Sequence, residues 1–295
     1  RTASLGKQGI NGWIWGLITI DAKGYEVPDG AFTGREDMIE EILSRQLPDG
    51  GWALSGSHSD PDLTAMALQA LAPYAREAES RVEEVSEETA DAVKEAVNKA
   101  LTFLSEAQLS TGDFESWGTR NCESTAQGII ALCCLGLDPL ADSRFVKEGK
   151  TLLDGLLLSR RPDGGFAHSY EADPNNPGAL PAQSDSMAGE QALLALAALI
   201  RRGKGKTSLY DFRAAGIDVS SGTVIPEEDR RAVEALPDRL TTAQYGAVLS
   251  LLEKLNRAAD FPGREEYLAR LEEAKEKIAS LFEEIEAIGA AIERL

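Results

Sequence analysis

Up to about residue 205, two kinds of apolar pattern alternate along the chain. In the stretch 87–108, Val93, Ala96, Val97, Ala100, Leu101 and Leu104 recur at spacings of three and four. That is the single apolar stripe of a helix with one face in water. Stretches 35–46 and 144–160 are predicted as helices of the same kind. Between them lie alanine-rich stretches that are apolar nearly all round: DLTAMALQAL from Asp62, ESTAQGIIAL from Glu123 and DSMAGEQALLALAAL from Asp185. These predict helices buried on both sides, and an earlier one holds Trp13, Ile14, Trp15, Gly16 and Leu17. A buried helix following each half-exposed one predicts concentric layers, with small residues allowing close approach in the inner layer.

The connections repeat as well. QLPDGGW at 46–52 returns as QLSTGDF at 108–114 and as RRPDGGF at 160–166. Asp62, Glu123 and Asp185 are about sixty residues apart, the length of a helix pair with its loops. Glycine ends a helix without the Cβ penalty of the left-handed conformation, and Pro48 and Pro162 stop the helices before them. Beyond 205 the pattern changes. Residues 208–225 read as a linker between a repeat domain (1–207) and a C-terminal helical unit (226–295). Pro226 opens a helix at its first turn, and two longer helices follow at 240–259 and 263–295. The last carries Leu268, Leu271, Ile278, Leu281, Ile285, Ile288 and Ile292 on one face, the pattern of a helical hairpin or coiled-coil-like bundle.

Composition narrows the partners more than the fold. With 295 residues, 43% hydrophobic and 27% charged, the chain can bury a large core. Its net charge of −19 argues against nucleic acid or anionic lipid, since both would be repelled. No apolar run reaches the length of a membrane-spanning helix. The three cysteines make no disulfide framework: Cys133 and Cys134 sit in an apolar helical run as small core residues, and Cys122 stands alone at a helix start.

ALTFLSEAQ at 100–108, running on to Gly112 and Phe114, resembles the QW repeat of squalene–hopene cyclases and related terpene cyclases. SDPDLTAMALQALAPY and NCESTAQGIIAL resemble the repeats of bacterial secreted or surface proteins with prenyltransferase and squalene oxidase repeats. The resemblance spans about residues 8 to 205 and implies an all-α fold, an α/α toroid of helix pairs. It also implies export, with any signal peptide outside this chain. A closed ring needs more pairs than the about four inner and three outer helices counted here, so an incomplete toroid is expected.

The chemistry of these families calls for particular residues. Terpene cyclases protonate an alkene with the middle Asp of DxDD. Asp60, Pro61, Asp62 and Leu63 align with that motif, Asp62 at the proton donor, but leucine replaces the third acid. The alternative is that Asp62 caps its helix, with Glu123 and Asp185 at the same repeat position. The prenyltransferase zinc needs Asp, Cys and His. Cys122 is present, but the histidine expected near Met187 is absent. The thioester of macroglobulin-type toroids needs a Gln three residues after its Cys, where Thr125 stands. The stretch from Asp173 begins like a calcium loop, then fails at Pro177. No metal and no cofactor is expected.

The remaining candidates for ligand contact are Trp52, His58, Asp60, Asp62, Trp117, Glu123, His168 and Asp185, with Asp62 the sole catalytic candidate. Three readings follow from the resemblance. The first is a non-catalytic module binding a small ligand or a protein. The second is an isoprenoid-handling enzyme using Asp62. The third is a corrinoid carrier like the toroids intrinsic factor and transcobalamin. Incomplete enzyme motifs favour the first.

Overall fold

The computed structural model describes residues 2–28, 30–76, 85–213, 227–236, 245–257 and 264–292. The fold is mostly helical, with one two-stranded sheet. The first compact unit runs from Arg1 to Ala214. It contains α1 (Ile10–Ala22), α2 (Arg35–Leu43), α3 (Pro61–Ala75), α4 (Glu87–Ala107), α5 (Cys122–Cys134), α6 (Leu152–Leu158) and α7 (Ser186–Gly203). Alternate helices pack side by side in a row, α1 on α3, α3 on α5 and α5 on α7. The others back that row: α2 on α1, α4 on α3 and α6 on α5.

Sequence pattern explains the layers. Every residue of α5 is buried, and most of α3, because each has neighbours on three sides. Helix α4 buries Val93, Ala96, Val97, Ala100, Leu101 and Leu104, the stripe expected from spacing, and leaves its charges in water. Helix α7 departs from expectation. Only Ala188, Ala192, Ala195 and Ala198 are fully buried, against α5, while Met187, Leu193 and Ile200 are more than half exposed. Among the described residues its one substantial helix contact is with α5, so it ends the row.

The three glycine turns share their hydrogen bonds. In each, the residue before the turn exchanges backbone bonds across the glycines: Leu47 with Gly50 and Gly51, Leu109 with Gly112 and Asp113, Arg161 with Gly164 and Gly165. Gly112 has φ 92, and a Cβ there would lie 2.1 Å from the Thr151 carbonyl oxygen, so glycine is needed twice over. Gln46 and Gln108 then tie their turns onward, donating Nε2 to the Ala96 and Phe145 carbonyls.

The expected helix at 144–160 is largely not formed. Glu148 and Gly149 both adopt positive φ in a tight turn between Lys147 and Lys150, and α6 starts only after it. Thr151 and Asp154 cap each other's backbone there, a capping box the periodicity overlooked. Residues 204–213, read as the start of a linker with some buried contacts, make several. Leu209 and Tyr210 pack on the core, Tyr210 meets Trp15 edge-to-face at 5.9 Å, and the Phe212 amide donates to the Ala22 carbonyl at 2.7 Å.

The second unit, Ala215–Leu295, holds α8 (Glu227–Glu234), α9 (Tyr245–Arg257) and α10 (Arg264–Ile292). Val233, Val248, Leu251, Leu252, Leu255, Leu271, Ala274 and Ile278 form its core, with Leu268 at the edge. Pro226 lies outside the described residues, as do the side chains of Leu281, Ile285, Ile288 and Ile292.

Candidate functional site

The N-termini of α3, α5 and α7 open on one cleft of about 340 Å³. It is lined by Asp62, Trp117, Glu123, His168 and Asp185 among others, five of the eight residues the sequence proposed. The remaining three have other work. Trp52 is fully buried, and its indole Nε1 donates to the Ile42 carbonyl at 2.7 Å. His58 is exposed and is not among the lining residues. Asp60 is the true cap of α3.

That last point corrects the sequence register. Asp60 accepts from the amides of Asp62 and Leu63, and Asn121 and Asp185 do the equivalent at α5 and α7. Asp185 therefore corresponds to Asp60, whereas Asp62 corresponds to Glu123 and Met187. A local signal marks the true caps of α3 and α5. Thr64 and Thr125, each four residues on, accept the amides of Trp52 and Phe114 at 2.9 and 3.1 Å. With the cap supplied by Asp60, the Asp62 carboxyl is free of that duty and faces the cleft.

Asp62 is held in an unfavourable place for a charge. Its Oδ1 is buried and has no hydrogen-bond partner. Burial, then the nearby Asp60 and Glu123 charges, push its carboxyl up to about 7. Glu123 is also raised, by burial, though its bond to His168 partly offsets this. The His168 Nδ1 lies 2.9 Å from Glu123 Oε2, and its Nε2 lies 3.3 Å from Asp173 Oδ2. Burial opposes charge on this imidazole, but the two carboxylates outweigh it and raise His168 above its ordinary value. Burial acts against the Asp173 charge too, yet the Thr119 hydroxyl, the Asn175 amide and His168 hold it below the usual carboxylate range.

Trp117 sits at a hairpin turn that the sequence pattern did not reveal. Strands β1 (Phe114–Ser116) and β2 (Thr119–Asn121) pair antiparallel, and Trp117 and Gly118 both have positive φ at the turn. The hairpin is held from two sides: Ser116 Oγ donates to the Asp60 carboxylate, and Asn175 Nδ2 donates to the Trp117 carbonyl. The tryptophan side chain is left 74% exposed at the cleft. Asp173, Asn175 and Gln191 complete the walls without having been singled out for that role. Gln191 also ends a chain of amides across the row, Gln69 Nε2 to Gln127 Oε1 at 2.7 Å and Gln127 Nε2 to Gln191 Oε1 at 3.0 Å.

No family model, curated protein or solved structure matches the chain. Its function must therefore be argued from the cleft. Cys122 does not serve there as a nucleophile, because it is buried beneath the surface and burial pushes its thiol up to about 12. Among the described residues, no three His, Cys, Asp or Glu side chains are grouped to hold a metal ion. None of the described helices is long and apolar enough to cross a membrane.

Proposed function

We propose that this protein is a non-catalytic binding module of an exported bacterial cell-surface protein. Its first unit is read as an incomplete α/α toroid, and the cleft at the starts of α3, α5 and α7 receives a small ligand or a partner protein. The observation that carries the reading is convergence. Asp62, Trp117, Glu123, His168 and Asp185 are far apart in sequence yet line one open cleft. Its volume of about 340 Å³ is at the lower end for pockets that hold small molecules.

The same geometry weighs against the two alternatives. Protonating an alkene calls for a stronger acid than free aspartic acid, whereas Asp62 is pushed up to about 7 and holds its proton more tightly. The walls are also rich in carboxylate, amide and imidazole groups, which would not keep water from a carbocation. For a corrinoid, a cleft of about 340 Å³ would enclose only part of the molecule.

The test is a thermal-shift panel of corrinoids, isoprenoids and their diphosphates, short glycans and basic peptides, run on the native protein and on Asp62→Asn/Trp117→Ala. A ligand at a hundred times its Kd adds about 2.7 kcal/mol, roughly 5–10 °C for a unit of this size. The reading expects a shift in the native protein that the double variant loses. A shift that the double variant keeps would place binding elsewhere, and turnover of an isoprenoid would overturn the non-catalytic reading.

A further inference from the structure

The cleft walls say which class of ligand they suit, and this step rests on the binding reading above. Four carboxyl groups line the cleft: Asp62 from α3, Glu123 from α5, Asp185 from α7 and Asp173 from the loop before α7. No lysine or arginine is among the lining residues, and His168 is the sole basic group. Asp60 adds a further carboxylate just behind the wall. Three helix N-termini oppose this field, each equivalent to about half a positive charge. The carboxylates outweigh them, so the cleft is electronegative even with His168 protonated.

Two further features accompany this acidic set. The Asp62 Oδ1 is buried without a hydrogen-bond partner in the protein, on a carboxyl group that lines the cleft. Beside the acids stand two apolar groups, Trp117 and Met187, exposed to 74% and 60%. An indole face beside carboxylates is the usual setting for a cation, since the ring quadrupole and the acids attract the same charge. A diphosphate or carboxylate would meet net repulsion, since the carboxylates outweigh His168 and the helix N-termini.

We propose that the cleft takes the head of an organic ammonium ion carried on an apolar stem, the ammonium among Asp62, Glu123 and Asp185 and the stem against Trp117 and Met187. Its affinity rises with pH. Asp62 loses its proton near pH 7, and His168, raised by the carboxylates it touches, loses its charge as the pH climbs; both changes deepen the negative field while the ammonium stays charged.

Isothermal titration with three probes of matched shape tests this: 2-phenylethylammonium, phenylacetate and 2-phenylethanol. The proposal expects the ammonium to bind at least about tenfold more tightly than phenylacetate, and more tightly at pH 8 than at pH 6. Trp117→Ala should weaken it several-fold without disturbing the fold, because that side chain is exposed. Asp62→Asn should reduce the preference over phenylacetate at pH 8 and flatten the rise of affinity with pH, leaving the part that His168 contributes. Binding of phenylacetate or phenylethanol as tightly as the ammonium overturns the charge selectivity and leaves the binding reading intact. Silence from all three probes, with the protein folded, counts against both. A preference and a pH dependence both unchanged in Asp62→Asn overturn the proposed arrangement.

Discussion

Replacing Asp62 with asparagine tests the electrostatics of the cleft through the stability of the fold. The carboxyl is raised from 3.8 to about 7 in the native state, mainly by burial. Between those two values the native state holds a proton that the unfolded chain has released. Stability therefore falls as pH rises, by about 1.4 kcal/mol per pH unit for this one group. The penalty is absent below about pH 4, grows through pH 5 and 6, and is complete above pH 7, where it amounts to about 4 kcal/mol. The asparagine amide of the variant cannot ionise, so the variant escapes the penalty. It should match the native protein near pH 4 and exceed it by roughly 3–4 kcal/mol at pH 8. Urea unfolding read by tryptophan fluorescence measures this. Trp13, Trp15, Trp52 and Trp117 all lie in the first unit, so the signal reports that unit alone. A difference between variant and native protein that stays constant from pH 4 to pH 8 would mean that the Asp62 carboxyl is not raised in the native state.

Three other perturbations address the scaffold. Asp21 is buried between Arg35 Nε at 2.8 Å and the Tyr74 hydroxyl at 2.8 Å, so Asp21→Ala removes a charged acceptor shared by two donors while Arg35 keeps its bonds to the Ile20 and Tyr25 carbonyls; urea unfolding should show a loss of about 2–3 kcal/mol. Gly112→Ala meets both a positive φ and the Thr151 carbonyl, and should cost more than about 2 kcal/mol, whereas Gly118→Ala, with open space around it, should cost about 1 kcal/mol. At the α3 cap, Asp60→Asn should be nearly neutral and Asp60→Ala should lower stability by about 1–2 kcal/mol; equal effects of the two would contradict the cap assignment.

How much of this was legible in the sequence depended on the range of the interaction. The α4 stripe and the all-round burial of α5 follow from local periodicity, because a helix in a packed row must be apolar wherever it has neighbours. The same rule misread α7, since nothing in its own residues announces that it ends the row. Residues 144–160 misled for a different reason: apolar spacing overrode the turn at Glu148 and Gly149, although Thr151 and Asp154 spell a capping box. At the cleft, acidic residues at helix starts pointed to Asp62, Glu123 and Asp185. Reading all three as one position hid that Asp60, Asn121 and Asp185 are the caps. The partnership of His168 with Glu123 and Asp173 was out of reach, because it joins His168 to a residue 45 positions away whose meeting only the packed fold decides.

The central claim is that these residues form one site that receives a ligand, and the two histidines allow it to be tested directly. The chain has only His58, which is exposed, and His168, which lies in the cleft. Their ring-proton NMR signals can be followed from pH 5 to pH 9, with and without 2-phenylethylammonium. His168 should titrate above its ordinary value of 6.5, Glu123→Gln should lower it, and the probe should move the His168 signal and leave His58 in place. A His168 signal unmoved by both the substitution and the probe, or a probe response equal at the two histidines, would contradict the central claim.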